Sequence, residues 1–252
     1  MQFANSLHHM QLIKVDATDS TNAYLKKMML QKETADFTVV LAQNQYAGRG
    51  QMGTRWLSEP GKNLTFSILK KHKNLYARNQ FGITMLSSLG VYKALNQFLI
   101  PDLHVKWPND ILSGPNKICG ILIENMTSGQ QVQASVIGIG LNVNQTDFGP
   151  LEQVSSLKGI MGRAFDLEVV LQGILTHLQH SFGHLETRSA EEIRNDYESH
   201  LFRKDKPSAF RQEDGTLFMG FIRGVSDEGK LRVELENDEE VSFDMKEVQL
   251  LY

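Results

Sequence analysis

The chain has one cysteine, two tryptophans and six prolines among its 252 residues. A lone thiol, Cys119, excludes an internal disulfide framework and any multi-cysteine zinc site. Excess positive charge is missing too. Lys+Arg 26 against Asp+Glu 29 leaves a formal net charge of −3, which argues against gripping a nucleic acid backbone, so no DNA partner is expected. Apolar runs are short: the longest, such as 136–143, fall far below the ~20 residues of a membrane helix, and no membrane partner is expected. The first eighteen residues carry no apolar core of roughly 7–15 residues ahead of a small-residue cleavage site, so a cytoplasmic location is expected. No tandem repeat or low-complexity tract is visible. His8-His9 and the helically spaced His177, His180 and His184 lack cysteine partners and an H-E-x-x-H pattern, so no protein-held metal is expected.

What is present is an ordinary globular composition, 41% apolar and 22% charged, in a chain long enough for a full core and a small second domain. Residues 12–15 read as a strand. A helix over 20–32 opens on Ser20, Thr21 and Asn22, all with capping chemistry. Strands are expected at 38–42 and 64–69, with a polar, glycine-rich stretch from 43 to 62 between them. Apolar residues at Met85, Leu89, Tyr92, Leu95 and Leu99 mark a helix within 79–99. Strands at 104–107, 118–124 and 132–143 follow, then a helix with Leu171, Ile174, Leu178, Phe182 and Leu185 on one face and another at 190–201. Beyond Lys206 short strands return at 208–210, 217–225, 230–234 and 240–244, joined by Asp-Gly and Glu-Gly turns. The expected division is residues 1–203 and 204–252. The latter part is acidic: 6 basic and 11 acidic residues over 206–252 give −5, leaving +2 for the rest.

Gly48-Arg49-Gly50-Gln51-Met52-Gly53 matches G-x-G-x-x-G literally. The dinucleotide reading needs those glycines to open a helix directly after a strand, with an acid about 20 residues on. Here Pro60, Gly61 and another strand follow, and the region near residue 70 is basic, so that reading fails. A glycine loop carrying Arg49 and Arg55 and ending at Trp56 remains; it suits an anionic group or is a solvated hairpin. Val105-Lys106-Trp107-Pro108-Asn109-Asp110 ends a strand on polar groups, placed to face a substrate or to close an Asx turn. Lys117 enters an apolar strand containing Gly120. Gly138 and Gly140 lie inside another strand, where such pairs mark a bulge, close packing or a ligand against the backbone. Cys119, within an apolar strand, reads as a buried inert thiol.

In order, Ser20-Thr21-Asn22, Gln43, the 48–53 glycine loop with Trp56, Lys106–Asp110, Lys117–Glu124 and Gly138–Asn144 form a series that closely resembles biotin protein ligases, over essentially the whole chain. The resemblance implies an α+β catalytic domain akin to class II aminoacyl-tRNA synthetases, with a mixed sheet and flanking helices, plus a C-terminal SH3-like β-barrel. It implies ATP and biotin as substrates with Mg²⁺: biotin's carboxylate attacks the α-phosphate to give biotinyl-5′-AMP, and a carrier lysine amine then displaces AMP. The acceptor implied is a biotin carboxyl carrier domain of acetyl-CoA carboxylase or another biotin-dependent carboxylase, and the ligase would be a monomer or homodimer.

Carried onto this sequence, the resemblance makes Lys117, Arg49 and Asp110 the catalytic candidates. Two anions must meet, so cations are needed at their junction; Asp110 would orient the incoming amine or accept its proton. The biotin-binding candidates are Ser20, Thr21, Asn22, Gln43, Gly48, Arg49, Gly50, Gln51, Trp107, Lys117 and Gly120, whose hydroxyls and amides suit a ureido ring. The nucleotide-binding candidates are Arg49, Arg55, Trp56, Asn109, Lys117 and Asn142. The sequence departs from two-function members in having no N-terminal winged helix-turn-helix, in carrying Gln51 and Thr54 where some have arginine, and in a short 145–157 segment. Loop 47–56 is then expected to close over the adenylate, and the 206–252 tail, as a docking or bracing element, to matter more for carrier biotinylation than for adenylation. Lipoate ligases and octanoyltransferases would share the fold and the lysine but have no ureido partners. A non-enzymatic ligand sensor would leave Arg49, Lys117, Asn109 and Asp110 without a task.

Overall fold

A computed structural model describes residues 10–183 and 187–252. His8, His9, His184 and Leu185 lie outside the described residues. The chain begins with β1 (Leu12–Thr18), α1 (Thr21–Gln31) and β2 (Val39–Gln45), and the two strands pair in parallel. Ser20 ends β1's excursion and caps α1 by accepting from Ala23 N at 3.4 Å. Next come β3 (Leu64–Tyr76), α2 (Phe81–Gln97), β4 (Leu103–Lys106), β5 (Asp110–Ser113), β6 (Asn116–Ser128) and β7 (Gln131–Leu141). They complete a mixed seven-stranded sheet in the order β1-β2-β3-β7-β6-β5-β4, antiparallel except for β1–β2.

Alternation along the strands sorts the core into two faces. Phe66, Ile68, Ile137 and Ile139 point toward α2 and α4 (Leu167–Gly183), while Leu69, Val40 and Val136 meet Leu25 and Met28 of α1. The result is a helix–sheet–helix sandwich. On the α1 face the helix covers only part of the sheet. The remainder, where Gly120, Gly138 and Gly140 bring bare backbone to the surface, forms the floor of a cleft.

Two short helices, α3 (Leu157–Met161) and α5 (Ala190–Ser199), complete the first part; α5 opens on a Ser189/Glu192 capping box. A second, wholly antiparallel sheet holds β8 (Pro207–Gln212), β9 (Leu217–Val225), β10 (Leu231–Leu235), β11 (Glu240–Phe243) and β12 (Val248–Leu251), ordered β11-β10-β9-β8-β12, consistent with an SH3-like barrel.

The structure adds two strands to the expected set, β5 and β12. Asn109 sits in the turn of a β4–β5 hairpin in which Lys106 faces Asp110, so the segment closes a hairpin and its residues line the cleft as well. The glycine loop is itself a hairpin with an Arg49–Arg55 bridge and a one-turn 3₁₀ segment at Gln51–Gly53, and no helix follows it.

Candidate active site

Between the N-terminus of α1, the glycine loop and the β4–β5 turn lies a cleft of ≈ 590 Å³. Ser20, Thr21 and Asn22 line one part of it, and all three are at most 5% exposed. Facing them is Gln45, whose Oε1 accepts from Thr21 N at 2.9 Å and lies 3.2 Å from Thr21 Oγ1. Gln43 does not reach the cleft. It sits two residues back on the same strand, exposed to solvent. The glutamine that lines the cleft is Gln45, which β2's extension past residue 42 carries to the register of Thr18.

The loop supplies Arg49, Gly50, Gln51, Thr54, Arg55 and Trp56 to the lining. It is closed on itself by Gly50 N donating to Thr54 O (2.7 Å) and Trp56 N to Gly48 O (3.0 Å). Gly48 is buried beneath Trp56 and stands outside the lining. The Trp56 ring lies on the floor so closely that a Cβ at Gly140 would overlap it, and one at Gly138 would overlap the Asn22 amide. The glycine pair thus serves close approach by two side chains. Trp56 Nε1 is buried without a hydrogen-bond partner.

A β-bulge aims Lys117. β5 pairs Ile111 with Cys119 but Leu112 with Lys117, so Ile118 is the extra residue. Ile118 and Cys119 both enter the core, and Lys117 is turned onto the cleft face of Gly120. There its Nζ pairs with Asp110 at 2.8 Å and lies 5.8 Å from the Trp56 ring. Burial pushes the neighbouring Cys119 thiol well up, as expected for an inert cysteine. Asn109 lines the cleft with its amide bonded to the Ile121 carbonyl, and Trp107 lines it while donating Nε1–H to Gly229 O at 2.9 Å. Asn142, expected near the nucleotide, is 2% exposed, lies outside the lining and donates to Ser155 O at 3.0 Å. Its position in the chain one residue past β7 turns it into the loop packing instead.

Besides Gln45, the lining residues outside the expected set include Lys106, Met245 and Gln249. Burial lowers the Lys106 ammonium's proton affinity, with Asp110 opposing and Lys117 adding to the fall; its Nζ rests 4.8 Å from the Tyr252 ring. Alternation along β4 signals Lys106, since it faces opposite to the core residue Val105. Met245 and Gln249 come from the second sheet, and nothing local in the sequence places them here. Arg49, Arg55, Lys106 and Lys117 set four cations against one carboxylate, Asp110, in the lining. That balance selects anionic ligands.

Among solved structures, the chain is similar to a biotin protein ligase from Aquifex aeolicus in complex with biotin and ATP, with a TM-score of 0.78, 26% identity, and 96% of this chain and 98% of that one covered. Among curated sequences it is 32% identical over 221 residues to the biotin--[acetyl-CoA-carboxylase] ligase of Paracoccus denitrificans, covering 85% of this chain and 90% of that protein. It is also 31% identical over 201 residues to the bifunctional ligase/repressor BirA of Bacillus subtilis, covering 78% of this chain and 61% of that longer protein. The biotin/lipoate A/B protein ligase family profile matches residues 14–142. The chain belongs to this family of protein ligases.

Proposed function

We propose that this cleft is the active site of an ATP-dependent biotin protein ligase. The observation that carries the reading is one cleft lined both by neutral hydrogen-bonding groups, Ser20, Thr21 and Gln45, and by four cations around a single carboxylate. A cyclic urea needs the first set, and a carboxylate meeting a triphosphate needs the second. In the first step a carboxylate oxygen of biotin bonds to the α-phosphorus and pyrophosphate leaves with the electron pair of the broken P–O bond. Arg49 and Lys117 offset the repulsion between the two anions, and Lys106 and Arg55 extend the cationic surface along the phosphates. No group of three or more metal-ligating His, Cys, Asp or Glu is found among the described residues, so Mg²⁺ would enter on the nucleotide's own phosphates, as it commonly does.

In the second step the ε-amine of a carrier lysine attacks the acyl carbon of biotinyl-5′-AMP, an amide forms and AMP departs. Asp110 holds Lys117 in place and stands where it can orient that amine. Trp56, seated over Gly120 and Gly140, shields the mixed anhydride from water. The acceptor in this reading is a biotin carboxyl carrier domain of a biotin-dependent carboxylase; the Paracoccus relative's name gives acetyl-CoA carboxylase.

The test is ATP–pyrophosphate exchange by the purified protein with Mg²⁺, comparing biotin, lipoate and octanoate. Exchange with biotin alone supports the reading. Exchange with lipoate or octanoate moves the protein to the sister activity, and no exchange from folded protein overturns ligase chemistry altogether.

A further inference from the structure

Asn22 stands at the ligand-facing start of α1, yet its amide is already spent. One Nδ2 hydrogen goes to the Glu124 carboxylate at 2.8 Å and the other to the Leu122 carbonyl at 3.3 Å. Its Oδ1 is therefore an acceptor, and Ser67 Oγ donates to it at 2.6 Å. Asn22 is 4% exposed and Ser67 fully buried, so water does not compete for these bonds. Ser67 Oγ also lies 2.7 Å from Thr21 Oγ1. A hydroxyl has one proton. With the Ser67 proton on Asn22, the proton in the second contact belongs to Thr21.

This leaves two acceptors facing each other in the cleft. Thr21 Oγ1 has given its proton backward to Ser67, and Gln45 Oε1 is fixed as an acceptor by Thr21 N. They stand 3.2 Å apart, close enough for Thr21 to donate to Gln45, but with its proton committed to Ser67 the contact holds none, which suits an incoming N–H donor. The direction of the whole chain is set at its far end, where the Glu124 carboxylate and, at longer range, the Leu122 carbonyl both accept from the Asn22 amide. Glu124, when ionised, accepts only, and Lys26 Nζ holds its second oxygen at 2.5 Å. Burial pushes this carboxyl's proton affinity up, but the hydrogen bonds from Lys26 and Asn22 outweigh it and hold the group below its ordinary value.

We propose that Glu124 is a positioning residue that sets substrate specificity. Acting through Asn22 and Ser67, it makes the Thr21 hydroxyl a hydrogen-bond acceptor matched to the N–H of a cyclic urea. Lipoate and octanoate carry no such donor and leave the two oxygens unpaired, which is a strong basis for rejection. The inference rests on the biotin-ligase reading and adds to it a discriminating device that does not touch the ligand.

The test uses Glu124→Gln, Lys26→Met, their double variant and Ser67→Ala in the full chain, with steady-state exchange resolving KM for biotin, KM for ATP and kcat. In Glu124→Gln, Lys26 draws the new amide's carbonyl, its NH₂ turns to Asn22, and the Asn22 amide flips, giving up its longer bond to the Leu122 carbonyl. Ser67 then donates to Thr21 and Thr21 to Gln45, filling the acceptor pair. KM for biotin should rise at least about tenfold while KM for ATP stays within about threefold. Adding Lys26→Met frees the carbonyl of the introduced amide for Asn22 and should restore most of the loss. Ser67→Ala removes the relay without touching Glu124 and should raise the biotin KM similarly; melting temperatures identify any variant that fails to fold. Biotin KM unchanged in Glu124→Gln or Ser67→Ala, or a double variant as impaired as Glu124→Gln, would overturn the proposal. Wild-type protein without biotin-dependent exchange would sink the underlying reading first, whereas wild-type exchange with a flat variant series sinks only this inference.

Discussion

Replacing Lys117 by alanine removes the cation that the Ile118 bulge turns toward Asp110. Two unit charges ~4 Å apart at an effective dielectric near 20 interact by ~4 kcal/mol. Lys117 between a carboxylate and an α-phosphate offsets that repulsion with two attractions of similar size. Its side chain is 33% exposed, and Arg49 and Lys106 remain, so the net loss is set at about half of one pair or more. That gives ~2–4 kcal/mol of transition-state stabilisation, or a fall of about 30- to 700-fold in kcat/KM for adenylation at ~1.4 kcal/mol per decade. ATP–pyrophosphate exchange reads this step apart from carrier transfer. Lys117→Arg, which keeps the charge, should recover part of the loss. Asp110→Asn combined with Lys117→Ala should cost less than the sum of the two singles, because the residues act as a pair. Exchange by Lys117→Ala within about threefold of wild type would refute the cationic role.

Gly140→Ala should push the Trp56 ring off the cleft floor; a red-shifted tryptophan emission and a raised biotin KM at nearly unchanged melting temperature are expected, and unaltered emission and KM would contradict the close approach. His72 predicts acid lability. Ser135 gives its proton to Asn125 (2.7 Å), so His72 Nε2 donates to Ser135 (2.9 Å), while Nδ1 is buried without a partner. Burial, with Lys70 adding, depresses its pKa from 6.5 to about 4. The unfolded chain therefore binds the proton first, the contribution to stability is intact above pH ~6.5, and up to ~3 kcal/mol is lost by pH ~4; His72→Gln should flatten denaturant-midpoint loss across that window. Deleting residues 206–252 should abolish exchange as well as carrier transfer and lower the melting temperature, because Met245 and Gln249 leave the cleft and Tyr197 and Leu201 lose apolar neighbours; exchange at the wild-type rate would show that the second sheet serves docking alone.

Most elements were legible because their signals are local. The Ser20 cap, the apolar face of α2 and the apolar run in β7 each follow from patterns within a few residues. The site was legible where a motif placed a side chain directly, as with Arg49, Lys117 and Asp110. It was not legible where facing depends on pairing. Gln43 and Gln45 share one face of β2, and only the strand's length and its register against β1 decide which reaches Thr21. Lys117 and Gly120 should lie on opposite faces of an unbroken strand; an unanticipated bulge brings them together. Asn142 and Gly48 have the residue types of a phosphate site, yet tertiary packing spends the first on Ser155 O and the second under Trp56. Asn22 looks like a ligand contact until its three hydrogen bonds are counted, two of which reach β6 some hundred residues away.

The second sheet was expected as a small acidic barrel on the α+β body. Its apolar side joins the main core, where Phe210, Ile222, Val225 and Leu231 cluster with Tyr197 and Leu201. Trp107 Nε1 reaches Gly229 O, and Val225 N reaches Glu198 Oε1 at 2.9 Å. A sheet with net charge −5 beside a cleft built for phosphates would weaken anion binding if its acids faced inward. They do not. The two residues it offers to the lining, Met245 and Gln249, are neutral. Asp244, adjacent to Met245, is held by Lys230 at 2.8 Å, and Glu247 turns back to accept from Asp244 N at 2.7 Å. Glu234 and Glu240 are taken up by Arg223 and Arg232. The sheet thus closes one side of the cleft with uncharged groups, while ion pairs within it hold Glu234, Glu240 and Asp244. This arrangement explains how an acidic C-terminal part and a cationic active site coexist in contact within one small protein.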